Sequence, residues 1–168
     1  MLWFGDSDID GWVAASNDPN YWSDFSPTYG LNGWASVSET NDPAAAIAVG
    51  SHNIAIGMST CGEWVSLLPK HLQTFQPSAV IGSCGMEDIN FHGMNGSETF
   101  EQFVQVFELT KAAGVKLIVM GNKDQPCCQS FWGEYALLDQ KMKELAQQEA
   151  PLLSWIDVNA GFLHSQSW

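Results

Sequence analysis

Ser7 stands third in Gly5-Asp6-Ser7, directly behind the apolar run Leu2-Trp3-Phe4. A strand that ends in a tight turn would expose such a hydroxyl close to helical N–H groups. Acyl transfer needs that arrangement: a nucleophile beside donors that face a developing oxyanion. The same stretch has a competing reading. Asp6, Asp8, Asp10 and Gly11 match the first half of a calcium loop, D-x-D-x-D-G. The twelfth position of that loop should be a bidentate Glu, and here it is Asn17. Such a loop also follows a helix, whereas Leu2-Trp3-Phe4 reads as a buried strand end. No second D-x-D-x-D-G occurs in the chain. Three Asp that solvate a turn are the plainer account, and no metal site is expected. Ser7 has a plain reading too, as a helix N-cap.

Comparable endings recur along the chain. Short apolar, β-branched runs between turn signals predict strands at Leu2–Phe4, Asn53–Ile56, Ala79–Cys84, Val115–Met120 and Leu153–Val158. Behind the later ones come Gly57-Met58-Ser59, Gly85-Met86-Glu87-Asp88, Gly121-Asn122-Lys123-Asp124 and Asp157-Val158-Asn159. Ligands of open α/β sheets bind beyond the carboxyl ends of the strands. A hydroxyl, several turn glycines and carboxylates are therefore expected on one edge.

Helices must carry the crossovers. Thr60-Cys-Gly-Glu63 is a capping box that opens a helix through Phe75, with Pro69 expected to kink or split it. Thr99-Phe-Glu-Gln102 predicts a second start, with Phe100, Phe103, Val104, Phe107 and Ala112 at helical spacing and Gly114 as its stop. Phe131, Tyr135, Leu138, Met142 and Leu145 mark a third helix, Ser130 to Glu149, ended by Pro151. The aromatic stripes read as core rather than as a cofactor pocket. Residues 13–52 are rich in Asn, Asp, Pro, Ser, Gly and Trp, and predict an irregular, functional connection with a short helix or two. Strand–helix alternation implies a parallel sheet with right-handed crossovers and helices on both faces.

Composition narrows the partners. The 168 residues suffice for one domain with a real core, and the net charge is -13, from 6 Lys+Arg against 19 Asp+Glu. Such a surface repels nucleic acid and anionic lipid, so neither is an expected partner. No apolar run reaches the ~18 residues of a membrane span. The chain enters its first strand at once, so no signal peptide is read; a weak lean to an extracytoplasmic place rests on a missing N-terminus, and compartment stays open. The four Cys include no C-x-x-C, which argues against structural zinc. Cys84 is expected in the core, and the vicinal Cys127–Cys128 pair, in a loop, is the likeliest to react. Asn95-Gly-Ser97 is a glycosylation sequon.

With these residues in view, the chain resembles the SGNH (GDSL-type) hydrolase family. "FGDSDIDGW" is similar to the family's first block, whose Ser is the nucleophile, "NIAIGMST" resembles the second block, and "GSCGMEDI" the third, normally G-x-N-D. "VMGNKDQPCCQSFW" reads like a subgroup with a lysine-proline loop after strand 4. The resemblance runs over nearly the whole chain in the right order. It implies a flavodoxin-like three-layer α/β/α sandwich with a five-stranded parallel sheet, one domain over residues 1–168. It implies hydrolysis of a small acyl or acetyl ester on an alcohol or sugar. Ser7 would attack, while the Ser7 and Gly57/Met58 N–H groups and position 87 would form the oxyanion hole. No cofactor and no metal are implied, and a monomer acting on a small-molecule ester is expected. Trp12, Trp22 and Trp34 are candidates to stack on sugar faces.

The chain departs from the family at three places. The block-two glycine falls at Met58, whose side chain crowds the site, and the block-three asparagine falls at Glu87, which has no donor when ionised. The third departure is the family's Asp-x-x-His, which does not occur. Of the four His, His52 precedes strand 2 at the wrong end of the sheet, and His71 lies in a helix, expected at the surface. His92 follows the third block, and His164 lies beyond strand 5 on the correct edge. His164 is the best candidate base, although a solvated tail histidine is the plainer account. The chain ends as if cut before the Asp-x-x-His segment. The alternatives to an esterase are therefore an impaired binding module, with carbohydrate as a candidate ligand, and a truncated fragment of an active enzyme.

Overall fold

The protein is described by a computed structural model that covers residues 1–6 and 52–159. Ser7, Asp8, Asp10, Asn17, the connection 13–51 with Trp12, Trp22 and Trp34, and His164 lie outside the described residues. The elements are β1 (Leu2–Phe4), β2 (His52–Asn53), α1 (Cys61–Phe75), β3 (Ala79–Gly82), α2 (Met86–Asn90), α3 (Gly96–Ala112), β4 (Lys116–Met120), a 3-10 turn (Pro126–Phe131), α4 (Trp132–Gln148) and β5 (Leu153–Ile156). All pairings between neighbouring strands are parallel, in the order β2-β1-β3-β4-β5. In that order the winding of successive strands, not the strand direction, reverses between β1 and β3.

β2 is only two residues long, shorter than the predicted Asn53–Ile56. The ladder nevertheless runs on: Ile54 N and Ile56 N donate to Trp3 O and Gly5 O, each at 2.9 Å. β3 and β5 end earlier than their apolar runs, at Gly82 and Ile156, whereas β4 ends at Met120 as expected and starts one residue later, at Lys116.

The capping box at Thr60 is present, with Glu63 N donating to Thr60 Oγ1 at 3.1 Å and Thr60 N donating to Glu63 Oε2 at 2.9 Å. Pro69 does not split this helix, which is one element from Cys61 to Phe75. Pro69 is exposed, so the carbonyl left without an intrahelical donor can turn to water. α3 begins earlier than expected. Its cap is Asn95, whose Oδ1 accepts from Ser97 N and Glu98 N, and Glu98 closes a second capping box. Thr99 is instead buried inside the helix and donates to Asn95 O at 3.0 Å. α4 starts at Trp132 rather than Ser130, after the 3-10 turn.

The core sits where the periodicities place it. Leu2, Phe4, Val80, Leu117, Val119 and Leu153 of the strands meet Trp64 and Leu68 of α1, Phe103 and Phe107 of α3, and Tyr135, Leu138 and Met142 of α4. The Trp64 ring meets Phe4 edge-on, with centroids 5.3 Å apart. Among the described residues no helix is long and apolar enough to cross a membrane.

Candidate functional site

Three of the strand-end turns are fastened to each other. Gly5, behind β1, accepts at its carbonyl from Ser59 Oγ at 2.9 Å, and Ser59 Oγ in turn accepts from Trp64 Nε1 at 2.8 Å. The turn behind β2 is thereby tied to the turn behind β1. The turn behind β3 joins through Asp88, whose Oδ2 accepts from Cys61 N at 2.9 Å. A disulfide between Cys61 and Cys84, with Cα atoms 5.1 Å apart, fastens the start of α1 to the residue before Gly85. Cys84 is buried as expected but bonded, so its role is covalent as well as packing. Sequence reading missed this pairing, because 23 residues separate the two Cys and no local spacing announces it.

Two backbone conformations shape this edge. Gly85 has φ 118°, and a Cβ there would stand 2.5 Å from Leu138 Cδ2, so glycine is required. Met58 has φ 67°, in the left-handed region that costs a side chain roughly 1–2 kcal/mol. The Met58 side chain is 44% exposed, so the strain is not offset by burial. This is the position where the resemblance expects glycine, and the positive φ gives the physical reason.

Glu87 and Asp88 are both buried at the start of α2. Burial raises the Asp88 carboxyl above its usual range, against the pull of the Cys61 N–H, its own backbone N–H and the positive charge of His92. The charge of Glu87 is felt at Cys128 and at Tyr135, where it opposes ionisation. Burial pushes the Tyr135 phenol up to about 12, so it is a neutral donor, and it donates to Asn90 Oδ1 at the end of α2. His92 is exposed in the turn after α2, and His71 is half-buried on α1 and stacked on Phe75.

The β4 and β5 ends form a second, linked polar cluster. Asn122, buried, donates its N–H and Nδ2 to Asp139 of α4, the latter at 2.8 Å, and accepts at its carbonyl from Asn159 Nδ2. Asp139 was not singled out from sequence, though it lies four residues after Tyr135, beside the buried stripe. Burial above all pushes its carboxyl up to about 6; the Asn122 bonds oppose this, and the charges of Asp157 and Asp124 add to it. The native state thus holds a proton that the unfolded chain releases near pH 4. Stability from this group is complete below that pH and is lost as pH rises through about 6. Asp139→Asn should remove that loss: the stability gap between variant and wild type is expected to shift by roughly 2 kcal/mol between pH 4 and pH 7, in the variant's favour. Urea unfolding at the two pH values reads this out, and an unchanged gap would show that Asp139 titrates normally.

Gly57, Met58, Glu87 and Asp88 thus share the edge that Gly5 and Asp6 reach. Ser7, the expected nucleophile, lies outside the described residues. No group of three or more potential metal ligands occurs among the described residues. A pocket between Pro69, Leu72, Leu109 and Val115 lies at the opposite edge of β3 and β4 and carries none of these residues.

No protein-family model matches the sequence, and no curated protein sequence matches it either. Solved structures do match. A Bacteroides fragilis protein assigned as an acylhydrolase is 18% identical, with a TM-score of 0.66 over 95% of this chain and 67% of that one. A Geobacillus acetyl-xylooligosaccharide esterase is 15% identical, with a TM-score of 0.64 over 96% of this chain and 76% of that one. The esterase AlinE4, of the SGNH-hydrolase family, is 17% identical, with a TM-score of 0.59 over 90% and 72%. Strand order and these likenesses agree: the chain has the parallel α/β fold of SGNH/GDSL-type acylhydrolases and esterases.

Proposed function

We propose that the chain is a single-domain SGNH-type serine esterase, a three-layer α/β/α sandwich that hydrolyses a small acyl or acetyl ester through Ser7. The observation that carries this reading is the fastening of the strand-end turns: Ser59 to Gly5, and Cys61 to both Asp88 and Cys84, within a fold otherwise found in esterases. Gly5 and Asp6, which lead into Ser7, share the sheet edge with Gly57, Met58 and Glu87. Ser7 Oγ attacks the ester carbonyl, and the tetrahedral oxyanion is held by the Ser7 and Met58 N–H groups, with Gly57 shaping the turn. His164 is the candidate base. No cofactor is needed for this chemistry, and a monomer acting on a small, uncharged or sugar-borne ester suits the acidic surface.

A second reading is favoured by two specific residues. Glu87 is a buried carboxylate where the family has a donor, and Met58 is a strained side chain where it has glycine. Together they describe a cleft that binds acylated ligands without turning them over. Hydrolysis of an aryl acetate by wild type and by Ser7→Ala separates the two. A slow rate that vanishes in Ser7→Ala supports the esterase. Equal rates above the uncatalysed background would overturn it, and saturable binding of an acetylated sugar without turnover would favour the binding module.

A further inference from the structure

Cys127 and Cys128 are free thiols, one exposed and one half-buried, in the 3-10 turn between β4 and α4. Their Sγ atoms are 2.7 Å apart, well inside van der Waals contact. Gln125 Oε1 lies 3.7 Å from one sulfur and 3.8 Å from the other, so it accepts weakly from whichever thiol is not donating to its neighbour. The backbone departs from helical values at Cys128, φ -120° and ψ 31°, which turns the two side chains toward each other instead of around a helix. The hydrogen bond with Cys127, then burial, then the charges of Cys127 and Glu87 push the Cys128 thiol up. A second, independent observation concerns redox state. Cys61 and Cys84 are joined, and structural disulfides belong to chains that mature among oxidants. An exposed thiol pair in touching distance meets those same oxidants.

We propose that Cys127 and Cys128 are a redox-active pair that closes to a vicinal disulfide by exchange with a small-molecule disulfide. The exposed Cys127 thiolate attacks one sulfur of that disulfide and expels the other half as a thiolate. The Cys128 thiolate then attacks Cys127 Sγ and expels the second half. One S–S bond forms in the protein and one breaks in the oxidant. The two thiol protons and two electrons pass to the oxidant, which leaves as two thiols. The ring closes through the Cys127–Cys128 peptide. Tyr135, which senses both sulfurs, is hydrogen-bonded to Asn90 of the helix that carries Glu87, so the pair adjoins the strand-end site. The inference does not depend on Ser7 being a nucleophile.

The test uses the full chain, mildly reduced and then exposed to oxidised glutathione. Lys123 and Lys141 bracket both thiols, so trypsin releases them in one peptide, 124–141, apart from Cys61 and Cys84. The expected result is loss of two hydrogens from that peptide without a glutathione adduct, and a fall from two titratable thiols to none in a monomeric chain. Cys127→Ser and Cys128→Ser should each instead retain a glutathione adduct, since no resolving thiol remains. A stable adduct on the wild-type peptide, a dimer linked through these residues, or two thiols that persist would each overturn the proposal. Phenylarsine oxide supplies a second measurement on the reduced chain. It should bind at one equivalent in wild type and be lost from both serine variants; retention of tight binding by either variant would also count against the pair.

Discussion

Replacing Cys61 and Cys84 together by alanine is expected to cost the fold about 3 kcal/mol, the chain-entropy value for a closed loop of this order. The bond spans 23 residues, and that loop contains all of α1 and β3. For a domain of 168 residues such a loss corresponds to a fall in Tm of roughly 6–12 °C. The effect on function should exceed the effect on stability. Cys61 also donates its N–H to Asp88, and Cys84 directly precedes the glycine that starts α2. Without the bond, the Cys61–Asp88 hydrogen bond still links the turn that carries Met58 to the turn that carries Glu87, and it is worth about 1.5–3 kcal/mol as a charged one. Aryl acetate hydrolysis at a temperature where the variant is still folded should therefore drop further than the folded fraction does. Thermal melts beside rate measurements decide this. A Tm within ~2 °C of wild type would show that the unfolded chain gains little freedom from the cut, contrary to the loop argument.

The elements legible from sequence were those specified locally. The Thr60–Glu63 box, the Tyr135-Leu138-Met142 stripe and the Leu2–Phe4 run each carry their signal within one or two turns of chain, and each is where the pattern places it. Errors arose where two local signals competed. Thr99 and Asn95 both stand four residues or fewer ahead of a Glu or Gln, and Asn95 prevails because Gly96 lets α3 approach α4, where Glu134 Oε2 takes the Gly96 N–H at 2.8 Å. A Cβ on Gly96 would stand 2.5 Å from the Glu134 carbonyl oxygen, a contact invisible to any window along the chain. The site was legible as a set of turns but not as a set of contacts. Gly57, Met58 and Glu87 could be placed on one edge because strand ends share an edge, whereas Cys61–Cys84 and Asn122–Asp139 are non-local pairings that only the packed fold reveals.

Glu87→Asn is expected to raise any Ser7-dependent hydrolysis by about a hundredfold or more at neutral pH. The wild-type side chain is buried, and when ionised it presents only acceptors to this edge. Two unit charges ~4 Å apart repel by about 4 kcal/mol at an effective dielectric near 20, so a carboxylate facing the oxyanion raises the barrier. Asparagine removes that repulsion and adds a donor, and one such donor is typically worth ~2.7–4 kcal/mol. Since the oxyanion exists only in the transition state, the gain should appear in kcat with KM little changed. Acidification should narrow the gap, because a proton on Glu87 turns the wild-type acceptor into a donor as well. The narrowing holds only while the base remains unprotonated, so the ratio of variant to wild type at each pH is the quantity to follow. A melting curve for Glu87→Asn guards against a trivial loss through unfolding. A folded variant with unchanged or lower kcat would place the Glu87 carboxylate outside the oxyanion hole, turned toward Tyr135 and Cys128, where its charge is already felt.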